Sequence, residues 1–124
     1  MYDKTLIIDG LRDIEEALLH VINRTSWIKT ADDFATTPKG MDMLDVATIR
    51  LMAVGEEIKK IDKRTKEQLL IQYPNIDWKA IKELRNLIAH EYFRVDAKEI
   101  FNTVQNKVQP LLTTIQQMIA DLEK

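Results

Sequence analysis

Apolar residues recur three and four positions apart along nearly the whole chain, and that spacing commits it to helices. Ile7, Leu11, Ile14, Leu18 and Val21 fall on one face of a predicted helix that lapses after Arg24. Asp3 or Thr5 can cap its start. A second stripe, Met43, Ala47, Leu51, Val54, Ile58 and Ile61, predicts a helix from Asp42 to Asp62. Gly55 sits inside it at a cost of about 1 kcal/mol relative to Ala, so a close contact or a site should require it. Asp77 caps a third helix bearing Trp78, Ile81, Leu84 and Ile88. Asp96, with Glu99 three residues on, opens the last, whose stripe runs from Phe101 through Val108, Leu111, Ile115 and Met118 to Leu122. Pro110 falls inside that stripe and should kink or divide the helix near Lys107.

The connections are less regular. Polar and small residues dominate from Thr25 to Met41, which predicts the longest loop, with Thr37-Pro38-Lys39-Gly40 as a breaker and Trp27, Ile28 and Phe34 as anchors to the body. Thr65-Lys66-Glu67-Gln68 matches a capping box and predicts a short helix through Leu69, Leu70 and Ile71, stopped by Pro74. With only 3 Gly and 3 Pro there are too few turns for a sandwich or barrel. The expectation is one domain, residues 1–124, folded as an all-α antiparallel four-helix bundle with an additional short helix.

Composition removes several chemistries. The chain has no Cys, which excludes a disulfide framework, a thiolate metal site and a Cys nucleophile. The carboxylate pairs Asp9/Asp13 and Asp42/Asp45 lie one helical turn apart with no His beside them in sequence, so they are read as capping or solvated groups, and no metal is expected. Gly10, Gly40 and Gly55 stand too far apart for a phosphate loop. No apolar run approaches the roughly 18 residues of a membrane span and no signal-peptide pattern opens the chain, so a cytoplasmic protein is expected. Eighteen Lys+Arg against 20 Asp+Glu give a formal net charge of −2, which counts against a simple basic nucleic-acid binder. The one basic cluster, Lys59, Lys60, Lys63, Arg64 and Lys66, is first of all a set of cations suited to a helix C-terminus.

Arg85 to Phe93 is different. It gathers a fixed cation, an amide, an imidazole, a carboxylate and a phenol at the end of a helix. On a continuous helix Asn86 and His90 share a face and Arg85 lies under Tyr92, whereas Arg85 and His90 diverge by about 140°. That set suits phosphodiester chemistry. Arg binds phosphate through two parallel donors and stabilises charge developing on its oxygens. His moves protons near neutral pH. RNA brings its own nucleophile, the 2′-hydroxyl, so neither metal nor Cys is needed.

Arg85-Asn86-x-x-x-His90-x-Tyr92 resembles the R-x-x-x-x-H-x-Y motif of HepT-like toxins in the HEPN superfamily. The similarity extends to Arg50–Glu56, which ends in Gly-Glu, to Tyr73-Pro74-Asn75-Ile76-Asp77-Trp78 ahead of the third helix, and to Phe93–Asp96. These segments span residues about 45 to 96. The resemblance implies a HEPN-like bundle, a homodimer and metal-independent endoribonuclease activity of a type VII-like toxin–antitoxin system, acting on tRNA or mRNA without a cofactor. By the same resemblance Arg85 binds the phosphate, His90 is the acid/base, and Asn86 and Glu56 are auxiliary. The implied partner is a minimal nucleotidyltransferase antitoxin that adds AMP to Tyr92. A non-catalytic HEPN module that binds a nucleotide or such a nucleotidyltransferase is the alternative. Two residues depart from the family pattern, Glu57 after Gly-Glu and Glu91 between His90 and Tyr92.

Overall fold

Asp3 starts the first helix, α1 (Lys4–Arg24), its carboxylate accepting from the Leu6 amide at 3.2 Å. All five residues of the predicted stripe are buried. Thr25 closes the helix, its hydroxyl donating to the Val21 carbonyl. The computed structural model describes residues 2–124, and the elements that follow α1 are α2 (Ala31–Ala35), α3 (Pro38–Arg64), α4 (Trp78–His90), α5 (Ala97–Asn106) and α6 (Val108–Glu123). Two one-turn 3-10 helices, Leu70–Gln72 and Tyr92–Arg94, flank α4.

Two sequence expectations are corrected. The stretch from Thr25 to Met41 is not all loop, because Thr30 and Asp33 cap each other's backbone and open α2. Phe34 on that helix is fully buried and meets Phe101 edge-on at 6.5 Å. Thr37-Pro38-Lys39-Gly40 is a start rather than a break. Thr37 accepts from the Gly40 amide at 3.0 Å and Pro38 takes the first helical position, where its missing N–H costs nothing. The second correction is at Thr65, which ends α3 instead of opening a new helix, its amide and hydroxyl both donating to the Ile61 carbonyl. Lys66 and Glu67 then turn the chain with left-handed φ of 53° and 62°, which no helix can continue. Pro110 acts as expected: it has no N–H for the Asn106 carbonyl, and α5 gives way to α6 at Lys107.

The long helices alternate in direction. Arg12, early in α1, pairs with Glu123 at the end of α6 at 2.8 Å. Glu57 and Ile61, late in α3, cover Gly10 of α1. Lys82, early in α4, pairs with Asp62 near the end of α3. The result is an all-α bundle whose core joins α1, α3, α5 and α6. α4 is the exception: it packs mainly on α3, and only Ile88 is fully buried. Its other flank, with α5 and α6, borders a groove of about 750 Å³ lined by Leu51, Ile81, Leu84 and Leu87 and rimmed by Asn102 and Asn106.

Tyr73 ties the segment before α4 to α6 by donating to Asp121 at 2.6 Å. Burial first, and then the Asp121 carboxylate, push this tyrosine from 10.0 up to about 12. The same bond holds Asp121 below the usual carboxylate range. In the unfolded chain Tyr73 ionises at its ordinary value, so its contribution to stability is complete below pH 10 and is lost as pH rises toward about 12. Denaturant titrations across that window should show wild type losing more stability than Tyr73→Phe. Parallel losses would mean that the folded chain does not hold Tyr73 above its ordinary value.

Candidate active site

Gly55 fixes where α3 and α4 cross. A Cβ there would stand 2.5 Å from Arg85 Cβ, 3.1 Å from Arg85 Cγ and 3.3 Å from the Ile81 carbonyl oxygen. Any larger residue would force the helices apart, so the costly glycine is the seat of Arg85. From that seat the guanidinium lies against the next residue of α3, with Nη2 2.5 Å from Glu56 Oε2. The pair is a close ion contact without hydrogen-bond alignment, and Arg85 Nε is buried with no partner. Nη1 donates to Asn86 Oδ1 at 3.1 Å, and Lys59 Nζ donates to the same oxygen at 3.4 Å. Arg85, Asn86 and Glu56 therefore form one constellation. Asn86 engages Arg85 and Lys59 rather than the imidazole.

His90 is the last residue of α4, exposed, with no hydrogen-bond or ion-pair partner among the described residues. The Glu91 amide still donates to the Leu87 carbonyl, but Glu91 leaves helical geometry at φ −136° and ψ 46°. Tyr92 therefore lies outside the helix, in the 3-10 turn, and the expected stacking of Arg85 under Tyr92 on a continuous helix is corrected. The Tyr92 hydroxyl instead reaches back to α3 and donates to Asp45 Oδ1 at 3.3 Å. Desolvation, followed by the Asp45 charge, raises its pKa above the ordinary tyrosine value.

Sequence spacing could have located Asp45. It stands eleven residues before Glu56, three full turns, so both face α4. Pairing it with Asp42 as neighbours in sequence hid that. Lys59, three residues after Glu56, was visible by the same rule. Of the two departures from the family pattern, Glu57 faces α1, where its Oε1 covers Gly10, and so turns away from α4. Glu91 is exposed beside His90.

Tyr92 has an exposed aromatic neighbour. Phe93 is 100% exposed and meets the Tyr92 ring edge-on at 6.0 Å. Met41 and Ile49 are exposed one turn either side of Asp45 on α3. Among the described residues no three His, Asp or Glu side chains converge in a way that would hold a metal ion. No helix among them is long and apolar enough to cross a membrane.

Residues 7–118 match the family model described as Ribonuclease HepT-like. The chain belongs to that family. Its HepT-like relatives include the Methanocaldococcus jannaschii protein named "Putative RNase MJ0127", 32% identical over 114 residues, which cover 91% of this chain and 87% of the relative. The protein of the same organism named "Putative RNase MJ0125" is 29% identical over 122 residues, covering 91% and 97%. A more distant relative from Caldanaerobacter subterraneus, "Putative RNase TTE0752", is 27% identical over 89 residues, covering 71% and 72%. No solved structure matches the chain. The HepT-like match runs from α1 to α6 and so takes in the α3–α4 seam with Glu56 and Arg85 and the end of α4 with His90.

Proposed function

We propose that this HepT-like chain is a metal-independent endoribonuclease, the toxin of a toxin–antitoxin pair, whose site is completed by a second copy of the chain. The observation that carries the proposal is the contrast along α4. Arg85 is clamped by the Gly55 crossing, Glu56 and Asn86, while His90, five residues on, is exposed and unbonded. A clamped cation suits a phosphate that must be held in one orientation. A free imidazole suits a group that must give and take protons.

The chemistry follows from those two residues. Arg85 holds the non-bridging oxygens of the scissile phosphate and stabilises the charge that builds on them. The RNA 2′-hydroxyl attacks phosphorus, the bond to the 5′-oxygen breaks, and a 2′,3′-cyclic phosphate and a 5′-hydroxyl result. His90 takes the 2′-hydroxyl proton, and a second imidazole gives one to the leaving oxygen. One chain carries Arg85 and His90 about 140° apart around α4, so a two-fold partner is the natural source of the second set. The exposed Phe93 and Tyr92 support this, because their edge-on pair is apolar surface for a second copy to cover.

Tyr92 is the proposed switch. Its hydroxyl would attack the α-phosphorus of ATP held by the nucleotidyltransferase antitoxin, releasing pyrophosphate and leaving AMP on the ring. The modified oxygen could no longer donate to Asp45, and the new phosphate would meet that carboxylate's charge. AMP would then project beside His90 and repel RNA.

The test is one series. Purified protein should cleave tRNA or mRNA in excess chelator. After incubation with the nucleotidyltransferase encoded beside it and ATP, the Tyr92 peptide should gain the mass of AMP and cleavage should stop. Loss of activity in chelator would overturn metal independence, and AMP confined to another residue would overturn the switch. Intact RNA despite tight binding of the nucleotidyltransferase would make the chain a non-catalytic module.

A further inference from the structure

The seam that holds Arg85 continues beyond it as a row of charge. Along α3 and α4 the polar contacts run from Glu56–Arg85 to Lys59–Asn86 and then to Asp62–Lys82. Past them, Lys63 and Lys66 close a hollow of about 520 Å³ whose lining is Lys59, Lys63, Lys66, Lys82, Asp62 and Glu67. Counting Arg85 and Glu56 with that lining, five cations meet three carboxylates. The strip is thus net positive on a chain whose formal charge is −2.

Cations at a helix C-terminus are common, but that explanation does not cover these. The Ile61, Asp62 and Lys63 carbonyls at the end of α3 are already taken by the backbone amides of Thr65, Glu67 and Lys66. Lys82 comes from a different helix, and Lys59 turns its amine to the amide that also holds Arg85. Asp62 is neutralised by Lys82, so it does not offset Lys63 and Lys66, which are exposed and have no ion-pair partner among the described residues. From Glu56 to Lys63 the helix rises about 10 Å, which carries the row well past the single phosphate that Arg85 can hold.

The geometry points to an RNA-backbone track: Lys59, Lys63 and Lys66 bind phosphates of the substrate strand flanking the one held by Arg85, while Lys82 keeps Asp62 neutral beside them. This rests on the ribonuclease reading of the site. It assigns the basic hollow a role in substrate affinity, separate from the chemistry at His90. An acidic protein partner would need no continuity with Arg85, and that continuity is what favours a nucleic-acid strand.

The test measures binding without cleavage. In a His90→Ala background, a fluorescent single-stranded RNA oligonucleotide is titrated against the parent, against Lys63→Gln/Lys66→Gln, and against Lys4→Gln/Lys98→Gln, which removes two exposed lysines elsewhere. The track variant should bind about five- to tenfold more weakly at low salt, with its log–log salt slope reduced by about 1.4. The control pair should bind like the parent. Equal affinities and slopes for all three proteins would overturn the track, as would equal losses in both double variants. The ribonuclease reading is judged separately, on the wild-type chain with unlabelled RNA: no cleavage there, together with the expected binding loss, would remove the nuclease and keep the track.

Discussion

His90→Ala is expected to lower the rate of RNA cleavage by about 10²–10⁴, the usual worth of a positioned proton carrier, with little change in the unfolding midpoint. The two readouts separate because of where the residue sits. His90 is exposed at the last position of α4 and bonds to nothing among the described residues, so its removal opens no cavity and strands no polar group. Arg85→Ala makes the contrast. It would also remove the phosphate clamp, but it would leave Glu56 without its cation and Asn86 with Lys59 alone, so stability should fall together with activity. Arg85→Lys would keep the charge and lose the two-pronged fork, and should remain far below wild type. Single-turnover cleavage and thermal unfolding of the same preparations decide the matter. Undiminished cleavage by His90→Ala would remove this imidazole from the mechanism.

The periodic stripes of α1, α3 and α6 were legible because burial and helical spacing agree there, with Ile7 to Val21 and Ala47 to Ile61 all lying in the core. The ends of helices were less so. Thr37-Pro38 is compatible with a break or with a first turn, and what decides is whether Thr37 finds the Gly40 amide, which it does. Thr65 has the same ambiguity. The pattern Thr-x-x-Gln does not reveal that Lys66 and Glu67 adopt left-handed φ, and without that knowledge the cap reads forward instead of back. At the site, Gly55 stood out as a cost with no local reason. Its reason lies thirty residues on, in Arg85, and only the helix crossing joins the two. The motif residues were legible as chemistry. Their division into a clamped arginine, a free histidine and a tyrosine bonded to Asp45 depends on where α4 ends, which spacing alone did not fix.

Gly55→Ala tests that crossing directly and should have a large effect on activity for a single added methyl group. Two terms compete. Alanine favours the helix by about 1 kcal/mol over glycine, which by itself predicts a more stable protein. Against it stands a contact of 2.5 Å with Arg85 Cβ, an atom fixed to the backbone, which no rotamer can move aside. Ordinary van der Waals contact begins near 3.4 Å, so α4 must retreat by about 1 Å, and overpacking of this kind typically costs about 1–3 kcal/mol. The net change in stability should therefore be a loss of at most about 2 kcal/mol, softened because α4 borders a groove and has room to shift. Activity has no such relief. A displacement of about 1 Å in a positioning group can cost about 10²-fold in rate, and here it would carry Arg85 away from Glu56 and Asn86 from Lys59. Gly10→Ala supplies the control. Its new methyl would meet Glu57 Oε1 at 2.6 Å, the far end of a flexible side chain that can swing away, and Ile61 Cδ1 at 3.3 Å, which need give only a few tenths of an ångström, and it lies on the α1 side of α3. The expected pattern is Gly10→Ala fully active whatever its small change in stability, with Gly55→Ala folded but about 10²-fold slower. If Gly55→Ala kept wild-type activity, the close crossing would not be what positions Arg85, and the exposed remainder of the seam would have to account for it.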